Sequence, residues 1–239
     1  MHIEAWSRYW SATGHTMNSR KDGTGIVCGF YAYLLEQGAI ESNPAERVRR
    51  PRVPRMSDGS SLTREQAARF LQLAESEPDD AQALCLLLLL NGMRIGEALA
   101  LDTADIDIGA STVRITRKYG FVQHLRMPQE TAAVLARITA GRDHGPLLRN
   151  AKGKRMNEAG ADRIVSRLGR QAGAARRISP HSLRRTFATL SRDAGIPDRQ
   201  ITAMAGWADS DMLDYYDQGR MSTQFDTGAQ LQQYISQAQ

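Results

Sequence analysis

Ser179-Pro180-His181-Ser182-Leu183-Arg184-Arg185 opens a helix that carries its charge in its first turns. Ser179 is an N-cap residue, and Pro180 suits the first helical position, where no backbone N–H is needed. Gly195 closes the helix. Leu183, Phe187 and Leu190 recur at helical spacing and make its buried stripe. His181 and Arg184 are three residues apart, so they share a face beside that stripe. Such a pair suits phosphate oxygens: free N–H groups at a helix start favour anions, and a guanidinium offers paired donors. A surface histidine beside a solvated arginine would leave the same local pattern.

Two other segments carry related chemistry. In Asn91-Gly92-Met93-Arg94-Ile95-Gly96-Glu97, an arginine follows a glycine break at the entry to a short helix, Arg94–Leu101. Glu97 can brace Arg94, because a shielded arginine needs a partner; a purely structural ion pair between helices is the alternative. In Gly206-Trp207 through Tyr215-Tyr216, two adjacent tyrosines follow a tryptophan in a helix-loop-helix. Neighbouring helical positions diverge by a large angle, so one tyrosine can be buried while the other reaches a cleft. Nothing within the segment says which.

Around these segments the pattern is mainly helical. Thr63 and Gln66 form a capping-box pair that starts a helix running to about Glu75. Asp79–Leu90 is apolar on all sides and predicts a fully buried helix. Val113 and Ile115 alternate within Thr112–Thr116, and Phe121–Met127 is a second candidate strand, so a small hairpin or sheet is expected. Glu130–Thr139, Asn157–Ala172, Pro180–Ala194, Pro197–Ala205, Ser210–Tyr216 and Ser222–Ser236 read as helices. The fold class is mainly α with a small β-sheet insert. Upstream, Met1–Gly25 shows little periodicity. Ile26–Gln37 reads as a helix with Phe30, Tyr33 and Leu34 toward a core and Gly38 as its stop. Asn43–Arg55, with Pro44, Pro51 and Pro54, reads as an extended linker. Met56–Ser61 is polar, and the domain boundary is placed there, giving a small helical region over residues 1–55 and a second domain over 61–239.

Composition narrows the function classes. The chain has 31 Lys and Arg against 26 Asp and Glu, a net charge of +5. Arg47, Arg49, Arg50, Arg52 and Arg55 crowd one stretch. Arg163, Arg167, Arg170, Arg176, Arg177, Arg184 and Arg185 form a second cluster. Clustered arginine suits a polyanion-binding face, although a solvated surface gives the same composition. Cys28 and Cys85 are far apart and lack ligand spacing with histidine, so neither a structural zinc site nor any other metal is expected. The most apolar run, Ala83–Leu90, is too short to span a bilayer. No signal-peptide pattern is present at the N-terminus, and a cytoplasmic protein is expected.

Taken together, the three charged segments resemble the tyrosine recombinase family, the phage-integrase or lambda-integrase-like enzymes. The resemblance covers roughly Ser61–Tyr216. The family's first arginine motif looks like Gly92-Met93-Arg94-Ile95-Gly96-Glu97, and its His-x-x-Arg box looks like His181-Ser182-Leu183-Arg184. The family's His or Trp after a glycine falls on Gly206-Trp207, and its nucleophilic tyrosine falls on Tyr216. Phe30–Arg55 is similar to the end of the family's helical core-binding domain, here short and incomplete. The resemblance implies a site-specific recombinase or integrase, of the kind found on mobile genetic elements. Such an enzyme breaks and rejoins DNA through a covalent 3′-phosphotyrosine, without a cofactor. It implies catalytic roles for Arg94, Lys118, His181, Arg184, Trp207 and Tyr216, with Glu97 orienting them. Lys118 departs from the family's glycine-flanked lysine, which leaves Arg117 as a fallback. Arg47, Arg49, Arg50, Arg52, Arg117 and Arg185 are the expected contacts to double-stranded DNA. Protomers would form a tetramer on DNA, with Ser222–Ser236 either packing on a neighbour or folding back on its own domain. The competing class is a truncated or impaired relative that binds DNA without cutting it.

Overall fold

The computed structural model describes residues 2–51, 60–117, 120–207 and 210–217, with backbone alone at His2, Glu4, Tyr216 and Asp217. The chain divides into two compact units, Met1–Arg55 and Met56–Gln239. Among the described residues, no helix is long and apolar enough to cross a membrane.

The first unit pairs α1 (His2–Ala12) with α2 (Met17–Glu36). Sequence periodicity predicts a helix only from Ile26, but α2 begins nine residues earlier. The Thr16 hydroxyl caps it by accepting the Ser19 N–H at 3.2 Å. Gly23 and Gly25 weaken helix propensity, which hides the element in the sequence. Packing overrides propensity here. A Cβ at Gly23 would sit 2.6 Å from the Trp10 ring, so glycine is what lets α1 lie against α2. Trp10 in turn packs on Trp6, with ring centres 4.5 Å apart. Phe30 and Tyr33, expected in a core, are instead 55% and 57% exposed. Two helices share one interface, and theirs is on the Gly23–Thr24 side. Asn43–Val48 is also not extended. The Asn43 carboxamide accepts the Ala45 N–H at 2.8 Å, and the Asn43 and Ala45 carbonyls accept the N–H groups of Glu46 and Val48.

The second unit is built around α4 (Asp79–Leu89), whose residues Ala81–Leu89 are all buried. Fully burying one leucine side chain stabilises by about 1.5–3 kcal/mol, so the Leu86-Leu87-Leu88-Leu89 run makes α4 the natural centre. Its neighbours are α3 (Arg64–Glu75), α5 (Ile95–Ala100), α6 (Gln129–Thr139), α7 (Glu158–Gln171) and α8 (Pro180–Asp193). The capping box predicted for α3 forms, with Gln66 N–H on the Thr63 hydroxyl and Thr63 N–H on the Gln66 side chain.

A three-stranded antiparallel sheet of order β1-β2-β3 follows α5. β2 (Thr112–Thr116) and β3 (Val122–Arg126) pair from Thr112↔Arg126 to Thr116↔Val122. Val113, Ile115 and Leu125 point into the core, as alternation requires. β1 (Ile106–Asp107) is a third strand that the sequence does not announce, because two residues are too few for alternation.

α8 begins as its sequence predicts, with Ser179 capping Ser182 and Pro180 in the first turn. Its burial is not one stripe, however. Ser182, Arg184, Arg185, Thr186 and Thr189 are buried along with Leu183, while Phe187 and Leu190 are only half-buried. The reason is that α8 touches α4, α7, α9 (Asp198–Ala205) and α10 (Asp211–Asp217), so it has almost no solvent face. A second small apolar cluster joins α8, α9 and α10 through Ala188, Ile201 and Leu213, with Phe187, Trp207, Met212 and Tyr215 packed on it. Ser222–Ser236 lies outside the described residues.

Candidate active site

Chain reversal after α4 sets the first arginine. Gly92 has φ +59, and a Cβ there would fall 2.4 Å from the Phe187 ring of α8. Only glycine permits both the left-handed backbone and that approach. The approach brings the Gly92 carbonyl onto the guanidinium of Arg184, which donates to it. Two residues later Arg94 is the extended residue before α5. Its backbone N–H donates to Glu97 Oε2 at 2.8 Å, its Nη1 to Glu97 Oε1 at 2.8 Å, and its Nη2 to the Gly206 carbonyl at 3.3 Å. The expected brace is therefore present.

Glu97 serves two arginines. Besides Arg94 it holds Arg117, whose Nη1 lies 3.0 and 2.9 Å from its two oxygens. Burial pushes the Glu97 carboxyl up, but the Arg94 backbone and side-chain donors and the charge of Arg117 outweigh it, holding the group below the usual carboxylate range. It stays ionised and stiffens both partners.

Arg184 is 3% exposed. It also donates to the Ala205 carbonyl at 2.5 Å and lies 4.8 Å from the centre of the Trp207 ring. Trp207 follows Gly206, which ends α9 in the left-handed conformation at φ +66. His181 sits in the first turn of α8. The residue keeps an exposed surface, but partial desolvation lowers its pKa, and Arg185, Arg184 and Arg94 lower it further. The imidazole is thus neutral near pH 7, in a strongly positive neighbourhood. Met93, Arg94, Ile95, Pro180, His181, Arg184, Trp207 and Met212 line one cleft of about 490 Å³. Four separate segments therefore meet at one anion-seeking hollow.

Of the two tyrosines, Tyr215 is half-buried against the cluster of Ala188, Ile201 and Leu213. Tyr216 belongs to α10; its side chain lies outside the described residues. Position 216 is four residues beyond the cleft-lining Met212. Lys118 and Arg52 lie outside the described residues. Arg47, Arg49 and Arg50 are exposed.

The second arginine cluster is not one open face. Arg167 is paired with Glu77 at 2.6 Å, and Arg177 with Asp162. Arg117, an expected DNA contact, has its guanidinium buried on Glu97 and on carbonyls of α9. Arg185 is likewise buried, in the wall of a smaller hollow of about 310 Å³ shared with Ser60, Arg177, Ser179, His181 and Ser182. Neither residue is the surface charge its neighbours in sequence suggest.

The phage integrase family model matches residues 60–222, which takes in every cleft residue just described. The chain belongs to the phage integrase family. Among curated members, the tyrosine recombinase XerC of Roseiflexus sp. (strain RS-1) is 31% identical over 194 residues, covering 75% of this chain and 61% of that protein. XerC of Mycobacterium tuberculosis (strain ATCC 25177 / H37Ra) is 27% identical over 220 residues, covering 85% and 73%. This integrase family chain thus spans about three-fifths of the length of its Roseiflexus relative. Its fold is that of the XerH site-specific recombinase bound to difH, with a TM-score of 0.74, 19% identity, and 90% and 66% of the two chains covered. A lambda integrase dimer bound to a COC' core site gives a TM-score of 0.72 at 18% identity, covering 91% and 64%.

Proposed function

We propose that this protein is a site-specific DNA recombinase that cuts and rejoins strands through a 3′-phosphotyrosine on Tyr216. The observation that carries the reading is the convergence of Arg94, His181, Arg184 and Trp207 on one cleft, inside the family match. The Tyr216 oxygen attacks the scissile phosphorus in line, and its proton passes to solvent. The bond from phosphorus to the 5′ oxygen breaks, and Lys118 gives that oxygen a proton. A 5′ hydroxyl of a second strand reverses the step. One phosphoester replaces another each time, so no external energy source is needed. Arg94 and Arg184 balance the charge that builds on the non-bridging oxygens, while neutral His181 and the Trp207 indole N–H donate hydrogen bonds.

Arg47, Arg49, Arg50 and Arg52 add phosphate contacts that position a duplex without reading its sequence. Residues 1–55 act as a reduced core-binding domain and residues 61–239 as the catalytic domain. The protein works in the cytoplasm as a multimer on DNA, a tetramer when two sites are joined. A nicked duplex that loses its short end after cleavage tests the chemistry. A covalent adduct on a denaturing gel is expected for the wild type and for Tyr215→Phe, and none for Tyr216→Phe. An adduct that persists in Tyr216→Phe overturns the assignment.

A further inference from the structure

The C-terminal end of α9 is held by three arginines. Its Met204 carbonyl accepts Arg117 Nη2 at 2.6 Å. The Ala205 carbonyl accepts both Arg117 Nη1 at 3.0 Å and Arg184 Nη2 at 2.5 Å. The Gly206 carbonyl accepts Arg94 Nη2 at 3.3 Å. Unpaired carbonyls and the negative end of the helix dipole favour cations there. Two of the three arginines face the cleft. Arg117 does not line it, and its guanidinium is held on several sides. Besides those carbonyls it holds both Glu97 oxygens, and its Nε donates to Gln123 Oε1 at 3.0 Å. Gln123 itself donates to the Ala203 carbonyl at 2.9 Å. The backbone of Arg117 closes the β2–β3 turn, donating to Phe121 O at 2.7 Å and accepting from Gly120 at 3.1 Å. Gly206 leaves it room: a Cβ there would lie 2.6 Å from the guanidinium carbon.

We infer that Arg117 is a positioning residue of this site: it locks Glu97, the root of the hairpin and the end of α9 into one buried unit, and so sets where Arg94 and Trp207 stand. The inference rests on reading the cleft as a recombinase active site. A planar fork is needed because the acceptors lie on three sides; a lysine ammonium can keep Glu97 but not all the carbonyls. A small displacement of a reacting geometry can cost about 100-fold in rate.

The test compares wild type, Arg117→Lys, Glu97→Gln and the double variant as full-length proteins, well below each melting midpoint. Single-turnover adduct formation is followed on a nicked duplex carrying the site the wild type cleaves, with DNA half-saturation measured in parallel. Hydrogen exchange is read over residues 200–207. For Arg117→Lys, a fall of about 100-fold in the saturated rate is expected, with half-saturation within about 3-fold. Because both residues act through the one unit that the Glu97–Arg117 pair closes, the double variant should be no slower than the slower single one. Exchange at 203–207 should quicken while α4 stays protected. A near wild-type rate, a loss explained by weaker DNA binding, additive effects, or unchanged exchange at 203–207 would each overturn the inference. Should the wild type cleave no DNA at all, the recombinase reading fails, and the exchange arm alone decides whether Arg117 fixes the end of α9.

Discussion

The Arg184 guanidinium stacks 4.8 Å from the centre of the Trp207 ring, while its nitrogens hold the Gly92 and Ala205 carbonyls. One buried cation therefore binds the chain reversal after α4 to the end of α9, and its position is set before any phosphate arrives. Such preorganisation is what gives a charge leverage on a transition state.

The two cleft arginines should separate in their stability effects. Removing one anion-stabilising donor costs about 10²–10³ in rate, so Arg94→Ala and Arg184→Ala should both lose adduct formation to that degree. Arg94 is 45% exposed at its side chain, and its loss should leave the unfolding midpoint near wild type. Arg184→Ala removes the guanidinium donor from the buried Gly92 carbonyl and one of the two from Ala205, and should also destabilise by about 1–3 kcal/mol. Single-turnover cleavage and urea melts on the same variants check both halves. Equal midpoints for the two would contradict the burial argument.

Gly92→Ala should be among the most damaging single-methyl changes in the chain. The left-handed backbone adds about 1–2 kcal/mol. Collision with Phe187 adds about 1–3 kcal/mol through overpacking. Gly92→Ala combined with Phe187→Leu should recover the second part only. Chemical denaturation of the three proteins measures this, and full recovery in the pair would mean that backbone strain is absent.

His181 makes stability depend on pH with a definite sign. Partial desolvation, reinforced by Arg185, Arg184 and Arg94, puts its native pKa below the ordinary value of about 6.5. Between those two values the unfolded chain binds more protons than the native one, so stability rises with pH across that window. The contribution is complete above about 6.5 and is lost as pH falls through the lowered native value. His181→Gln should flatten this slope in melts taken across mildly acid pH. An unchanged slope would assign the effect to other groups.

Arg192 clasps the helix that carries Tyr216. Its guanidinium reaches Asp198 at 2.5 Å and Asp214 at 2.9 Å, linking α8 to α9 and α10. α10 has seven residues and one fully buried apolar side chain among those described, Leu213, and the clasp adds a polar tie to that packing. Arg192→Gln should raise hydrogen exchange across 211–216 and slow adduct formation, while thermal midpoint changes by about 1 kcal/mol or less in equivalent free energy. Unaltered exchange in that segment would show that packing on Leu213 suffices.

What the sequence determined on its own was whatever short-range chemistry dictates. The capping pairs at Thr63 and Ser179, the all-apolar α4 and the alternation in β2 each fix an element through neighbours a few residues away. The cleft residues Arg94, His181, Arg184 and Trp207 were legible for a related reason: residue type, order and spacing survive in one dimension. Only the tertiary structure decided the rest. α2 runs through Gly23 because Trp10 of another helix covers it. Arg117 points inward because its acceptors, Glu97 and the end of α9, are respectively 20 and about 88 residues away. Tyr215 is half-buried because Ala188 and Ile201 pack beside Leu213. Each of these outcomes is a balance between a buried group and partners distant in sequence, and no local pattern records who those partners are.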